Sequence, residues 1–174
     1  LNYDSKVVVI TGASSGIGEA SAIEFAKRKY SIVLVSRKKD KLDEVAKKLA
    51  SYDSQILVCQ CDVSQKNQVE QMGETVLDKF RRIDVLVNNA GFAIYGAVKD
   101  LKIEEIESQM VTNYLGMVYC TKTFLPKMLE QKSGHIVNVA SVAASFGLPG
   151  IASYCASKFA MLGFSEGLHH ELKG

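Results

Sequence analysis

Val7, Val8, Val9 and Ile10 run into Thr11-Gly12-Ala13-Ser14-Ser15-Gly16-Ile17-Gly18, and from there into Glu19, Ala20, Ile23, Phe25 and Ala26. Consecutive branched apolar residues read as a buried strand, clustered glycines as a sharp turn, and spaced apolar residues as a helix. That order brings free backbone N–H groups and the positive end of a helix dipole to one point, which is a cradle for a phosphate. The three glycines have separate tasks. Gly12 permits the sharp exit from the strand, Gly16 lets the backbone approach a pyrophosphate, and Gly18 lets helix and sheet pack closely. The spacing is GxxxGxG rather than the more familiar GxGxxG.

The remainder alternates in the same way. Ile32 to Val35 is a short continuous apolar run, the mark of a strand covered on both faces. Further strands are expected at Gln55 to Cys61, Asp84 to Val87 and His135 to Val139. Between them lie stripes at helical spacing: Leu42, Val45, Ala46 and Leu49, then Val69, Met72, Val76, Leu77 and Phe80, then a long pattern from Ile103 to about Gln131 with Pro126 near its end. Strands alternating with helices predict an α/β fold, a doubly wound parallel sheet of Rossmann type. At 174 residues the chain suits one domain over 1–174.

Charged residues make up 23% and the net charge is +2, without a basic run or interleaved aromatics, so nucleic acid is not an implied partner. No apolar run approaches a membrane span and no signal-peptide pattern opens the chain, so it reads as soluble and cytoplasmic. The first residue is Leu, which leaves open an anchor preceding it. Cys59, Cys61, Cys120 and Cys155 lack zinc spacing, and His135, His169 and His170 show no ligand pattern; buried thiols in a reducing compartment are expected, and no metal.

Four further segments carry chemistry. Strand two ends at Ser36-Arg37-Lys38-Lys39, where a dinucleotide fold reads the adenosine ribose: an acid would take the 2′-hydroxyl, while Arg37 can offer its planar fork to a 2′-phosphate. The bland alternative is a solvated basic helix face. Strand four ends at Asn88-Asn89-Ala90-Gly91. Asn113 sits inside the long helix, where asparagine is a poor former unless its side chain is used elsewhere. Tyr154, thirteen residues after Ser141, and Lys158 stand one helical turn apart. A second YxxxK at Tyr95 and Lys99 has Arg82 in the corresponding upstream place. A free phenol titrates about three units above neutrality, and a cation about 5 Å away at an effective dielectric of about 20 supplies about 3 kcal/mol toward ionising it.

With its leading threonine, the glycine segment resembles that of the classical short-chain dehydrogenase/reductases, as do the NNAG and YxxxK segments. The resemblance implies that Tyr154 is the proton donor in reduction, Ser141 polarises the substrate oxygen, Lys158 tunes the phenol and holds the nicotinamide ribose, and Asn113 bends its helix and keeps a water. It implies cofactor contacts at Gly12, Ser14, Ser15, Gly16, Ile17 and Gly18, at Ser36 and Arg37, at Asp62 and Val63 beside the adenine, and at Asn89, Ala90 and Gly91. As a residue by itself, Asp62 also suits a turn or helix cap.

NADP(H) is expected over NAD(H). The apolar segments Phe92 to Val98 and Phe146 to Ile151 suggest a moderately hydrophobic ketone, aldehyde or 3-oxoacyl substrate, and the resemblance implies a homodimer or homotetramer. The rival is a non-catalytic NADP(H)-binding regulatory module, which would have no use for a tuned phenol. Family members continue with further strands and a substrate lid, so Ile136, Val137 and Val139 are expected at an exposed apolar edge, as in a fragment ending at Gly174.

Overall fold

The structure is a computed structural model and describes residues 5–173. The first apolar run forms β1 (Val7–Thr11) and the cradle leads into α1 (Gly16–Lys27). β2 (Ser31–Ser36), α2 (Lys39–Leu49), β3 (Ile56–Gln60), α3 (Lys66–Phe80) and β4 (Val85–Asn88) follow. Next come α4 (Ile103–Met110), α5 (Gly116–Gln131), β5 (His135–Asn138) and α6 (Ala152–Glu171). All five strands are parallel, in the order β3-β2-β1-β4-β5. The chain therefore reverses its direction of travel across the sheet between β1 and β4. Their carboxyl ends open a crevice there, because the helices leaving them go to opposite faces.

Alternate residues of one strand feed opposite faces. Val7, Val9, Val33 and Val35 join Val69, Val76, Phe80 and Phe124 on one side, while Val8, Ile10, Ile32 and Leu34 join Ala22, Leu42, Val45 and Leu49 on the other. Burying each of the larger ones is worth about 1.5–3 kcal/mol, against about 0.3–0.5 for an exposed pair such as Lys39–Asp43. The apolar layers decide the architecture and the helix-surface charges decorate it. At the end of the sheet remote from the crevice, the Asp84 carboxylate accepts the Val7 N–H at 2.7 Å and two Arg82 bonds at 2.9 and 2.7 Å, holding β4 to β1.

Two expectations are refined. β5 ends at Asn138, and of the three apolar residues expected at an exposed edge only Val137 is open to solvent, at 46%. Ile136 packs on one core and Val139 on the other. The long helix is interrupted by a single wide π-helical turn, Val111–Leu115, between α4 and α5. Such turns arise where a side chain is drawn out of the regular helical ladder, and Asn113 lies at the middle of this one. Pro126 lies inside α5, five residues before its last residue, as expected.

The four cysteines are free and buried. Burial pushes the Cys59 thiol up to about 11 and Cys61 to about 12, and raises Cys120 as well. Iodoacetamide at pH 8 should therefore label Cys59, Cys61 and Cys120 only after unfolding, since the thiolate is the nucleophile. Stoichiometric labelling of the folded protein, read by mass spectrometry, would contradict this burial.

Candidate active site

A groove of about 430 Å³ occupies the crevice at the carboxyl ends of β1, β2 and β4. Gly12, Ser14, Ser15 and Ile17 line it from the first turn, Ser36 and Arg37 from the second, Asp62 and Val63 from the third, and Asn89, Ala90 and Gly91 from the fourth. Gly16 and Gly18 shape the cradle without lining the groove. Gly12 (φ +66°) and Gly16 (φ +56°) hold left-handed backbone that other residues adopt only with strain. A Cβ on Gly18 would run into the Gly12 carbonyl oxygen, so this glycine lets α1 close onto the turn. Ser15, at the start of α1, is extended and its side chain makes no capping bond, leaving the first N–H groups of the helix for an anion.

Thr11, the last residue of β1, staples the two strand ends. Its hydroxyl donates to Val87 O at 3.3 Å and accepts from Asn89 N and Ala90 N at 2.9 and 3.0 Å. Asn89 Nδ2 returns bonds to Thr11 O and Gly12 O. Where the first and second turns meet, Ser36 Oγ donates to Ser14 Oγ at 3.0 Å and accepts from Lys38 N at 3.2 Å. Arg37 is exposed, with Nη1 3.9 Å from Asp62 Oδ2. Asp62 Oδ1 accepts from Ser64 N and Ser64 Oγ, so this carboxylate has the turn role foreseen for it while its other oxygen faces Arg37.

Tyr154 and Lys158 share one face of α6, with the ammonium 5.7 Å from the phenol ring centroid; neither they nor Ser141 and Asn113 are among the residues lining the groove. Lys158 is buried. Its Nζ donates to Val139 O at 3.0 Å and lies 3.4 Å from Met161 Sδ. Burial holds its pKa below the ordinary 10.5. Gly91 is the seam between the two parts: a Cβ there would lie 2.9 Å from Asn113 Oδ1 and 3.7 Å from Lys158 Nζ. Ser141 starts the short turn Val142–Ala144, which packs against α6, and its Oγ accepts from Ala143 N at 3.2 Å.

Asn113 is fully buried. Its amide oxygen accepts from Phe92 N, and its nitrogen donates to Phe92 O and Ser157 Oγ, each at 2.9 Å. The bonding roles of Thr11, Gln109, Ser153 and Ser157 were not anticipated from sequence. The one local sign of them was spacing, with Gln109 four residues before Asn113 and the two serines immediately before Tyr154 and Lys158. The groove also takes in Val35, Lys38, Cys61, Phe92 and Thr112.

Residues 6–174 match the family described as short chain dehydrogenase. The chain belongs to that family. Members of this short-chain dehydrogenase family are oxidoreductases on a nucleotide-binding α/β sheet, which accords with the sheet and crevice described above. The chain is 40% identical over 171 residues to 3-ketodihydrosphingosine reductase of Bos taurus, covering 95% of this chain and 52% of that protein. Its fold is similar to that of a metagenomic short-chain oxidoreductase in complex with NADP, at a TM-score of 0.94 and 31% identity, covering 99% of this chain and 78% of the other. An NAD+-bound xylitol dehydrogenase is alike at a TM-score of 0.94 and 28% identity, with 99% and 67% covered. Among curated relatives, the chain spans from 52% to 68% of their length. Among the described residues no helix is long and apolar enough to cross a membrane, and no group of His, Cys, Asp and Glu could hold a metal ion.

Proposed function

We propose that this protein is an NADP(H)-dependent reductase of carbonyl compounds, with residues 1–174 forming its dinucleotide-binding and catalytic unit. The observation that carries the reading is the approach of the buried Lys158 ammonium to Gly91 on the groove, with Tyr154 on the same helix face. The cradle fits a dinucleotide. Backbone at Gly12 is held in the left-handed region, Gly18 leaves no space for a Cβ, and the start of α1 has no side-chain cap. A bound NADPH would supply the hydride that reduces the carbonyl carbon.

The chain's own groups do the rest. Tyr154 gives its hydroxyl proton to the carbonyl oxygen as that oxygen gains charge, and the Lys158 ammonium stabilises the phenolate left behind. Ser141 donates a hydrogen bond to the same oxygen and orients it. Asn113 holds the Phe92 backbone and Ser157 in place around this corner. In the oxidative direction Tyr154 takes the proton back from an alcohol.

For the cofactor, Arg37 is exposed at the groove mouth beside Ser14 and Ser36, and no acid stands at the ribose position. Arg37→Asp should weaken NADPH binding at least about tenfold while changing NADH binding by less than about threefold, because a 2′-phosphate loses a charged partner and meets a like charge. Fluorescence titration with both cofactors measures this; equal effects would defeat the assignment.

The chain's likeness to 3-ketodihydrosphingosine reductase, together with the exposed apolar Tyr95, Val98, Val142 and Phe146, supports a moderately hydrophobic ketone, aldehyde or 3-oxoacyl substrate. NADPH consumption by the full-length protein over a panel of such compounds tests the reading. Tight NADPH binding without turnover on any of them would support a non-catalytic module instead.

A further inference from the structure

We infer that Gln109 is a positioning residue that, together with Asn113, sets the register of α6 and so places Tyr154 and Lys158 at the groove; this rests on the catalytic reading of those two residues. Gln109 is fully buried one helical turn before Asn113. Its Oε1 accepts from Ile94 N at 2.9 Å, and its Nε2 donates to Ser153 Oγ at 2.8 Å and to Glu105 O at 3.2 Å. Asn113 repeats the arrangement four residues on, bonding the Phe92 backbone and Ser157 Oγ.

The two amides are thus rungs of one ladder. Each ties the strand-four loop on one side and α6 on the other, and both rungs join residues 44 apart in sequence. A constant offset means that α6 is locked in one axial register against α4 and the turn following it. Each serine immediately precedes a site residue, Ser153 before Tyr154 and Ser157 before Lys158. Slipping α6 by one residue moves it about 1.5 Å along its axis and about 100° around it, which breaks both rungs and carries the phenol and ammonium off the seam at Gly91. A misplacement of about 1 Å can cost about a hundredfold in rate. The second rung acts with the first, and with the bonds from Lys158 to Val139 O and from Asn138 to Ser165 that also hold α6, to fix its register.

The test uses the full-length protein with NADPH and a 3-oxoacyl thioester as probes. Gln109→Met keeps the volume and removes all three bonds, while Ser153→Ala cuts only the α6 arm, since Gln109 Nε2 retains Glu105 O. Both variants should lower kcat, Gln109→Met by about tenfold, with the NADPH Kd and substrate KM within about twofold. The double variant should lose no more than about twofold beyond Gln109→Met alone, because the rung acts as one unit. Val76→Ala, a core change in α3, should lower Tm without lowering kcat. In the cofactor-free protein, Ile94 amide exchange should quicken at least about tenfold in Gln109→Met and stay within about twofold in Ser153→Ala.

A kcat within twofold of the parent for both variants would overturn the proposal, as would multiplicative losses in the double variant or unaltered Ile94 exchange in Gln109→Met. Tyr154→Phe separates the two levels. Full turnover in Tyr154→Phe, or none in the parent protein, overturns the catalytic reading itself. An inactive Tyr154→Phe beside an unaffected Gln109→Met overturns the positioning role alone.

Discussion

Tyr154→Phe should leave NADPH affinity within about twofold of the parent and lower turnover by about 10²- to 10⁴-fold, the range spanned by a positioned acid or base. The expectation of unchanged binding comes from what the substitution leaves in place. The groove wall from Gly12 to Gly91 does not include Tyr154, and among the described residues the phenol hydroxyl has no hydrogen-bond partner. Removing it therefore leaves no buried polar group unmatched, and Tm should stay within about 2 °C. Cofactor titration beside steady-state kinetics separates the effects. A variant that loses affinity as sharply as rate would make Tyr154 a binding or folding residue. One that turns over normally would end the proton-transfer role.

Lys158→Met should lower kcat by about 10²-fold and at the same time relieve a cost to folding. With the ammonium 5.7 Å from the Tyr154 ring centroid, at an effective dielectric of about 20, its attraction for a phenolate is about 3 kcal/mol, which converts to that factor. The folding cost has a definite sign. Burial holds the Lys158 pKa below 10.5, so the charged form is disfavoured in the folded protein relative to the unfolded chain. The penalty is fully present below the folded pKa and disappears as pH rises past the unfolded value near 10.5. The stability of Lys158→Met relative to the parent should therefore be greatest near pH 7 and decline as pH approaches 10.5. The lost bond to Val139 O offsets part of the gain by about 1 kcal/mol at every pH. Urea unfolding of both proteins at pH 7 and pH 10 measures the trend, and a difference that grows with pH would contradict it.

The combination has a physical logic. An ammonium buried from water and held, among the described residues, by a carbonyl and a thioether is costly to keep, and is correspondingly responsive to a negative charge arising nearby. A solvated lysine at the same distance would be screened and would stabilise a phenolate less. The same burial that makes Lys158 useful to the corner makes it a weak point of the fold.

Local spacing made much of this protein legible. Four adjacent branched residues could be satisfied only inside a sheet covered on both faces, and the glycines after Thr11 could serve only a tight turn into a helix. Tyr154 and Lys158 had to share a face because helical periodicity puts them there. Asn113 announced itself as a residue out of place in a helix. Partners far apart in sequence left no such trace. Packing of the two core layers decided that β1 would lie beside β4, which let the Thr11 hydroxyl meet the Asn89 and Ala90 amides 78 and 79 residues away. The same packing set Gln109 and Asn113 against serines 44 residues on, and buried Lys158 under the loop after β5. Periodicity acts over one turn or one pleat and can be read along the chain. The register between distant elements is set by the shapes of the surfaces they bury, and exists only once those surfaces meet.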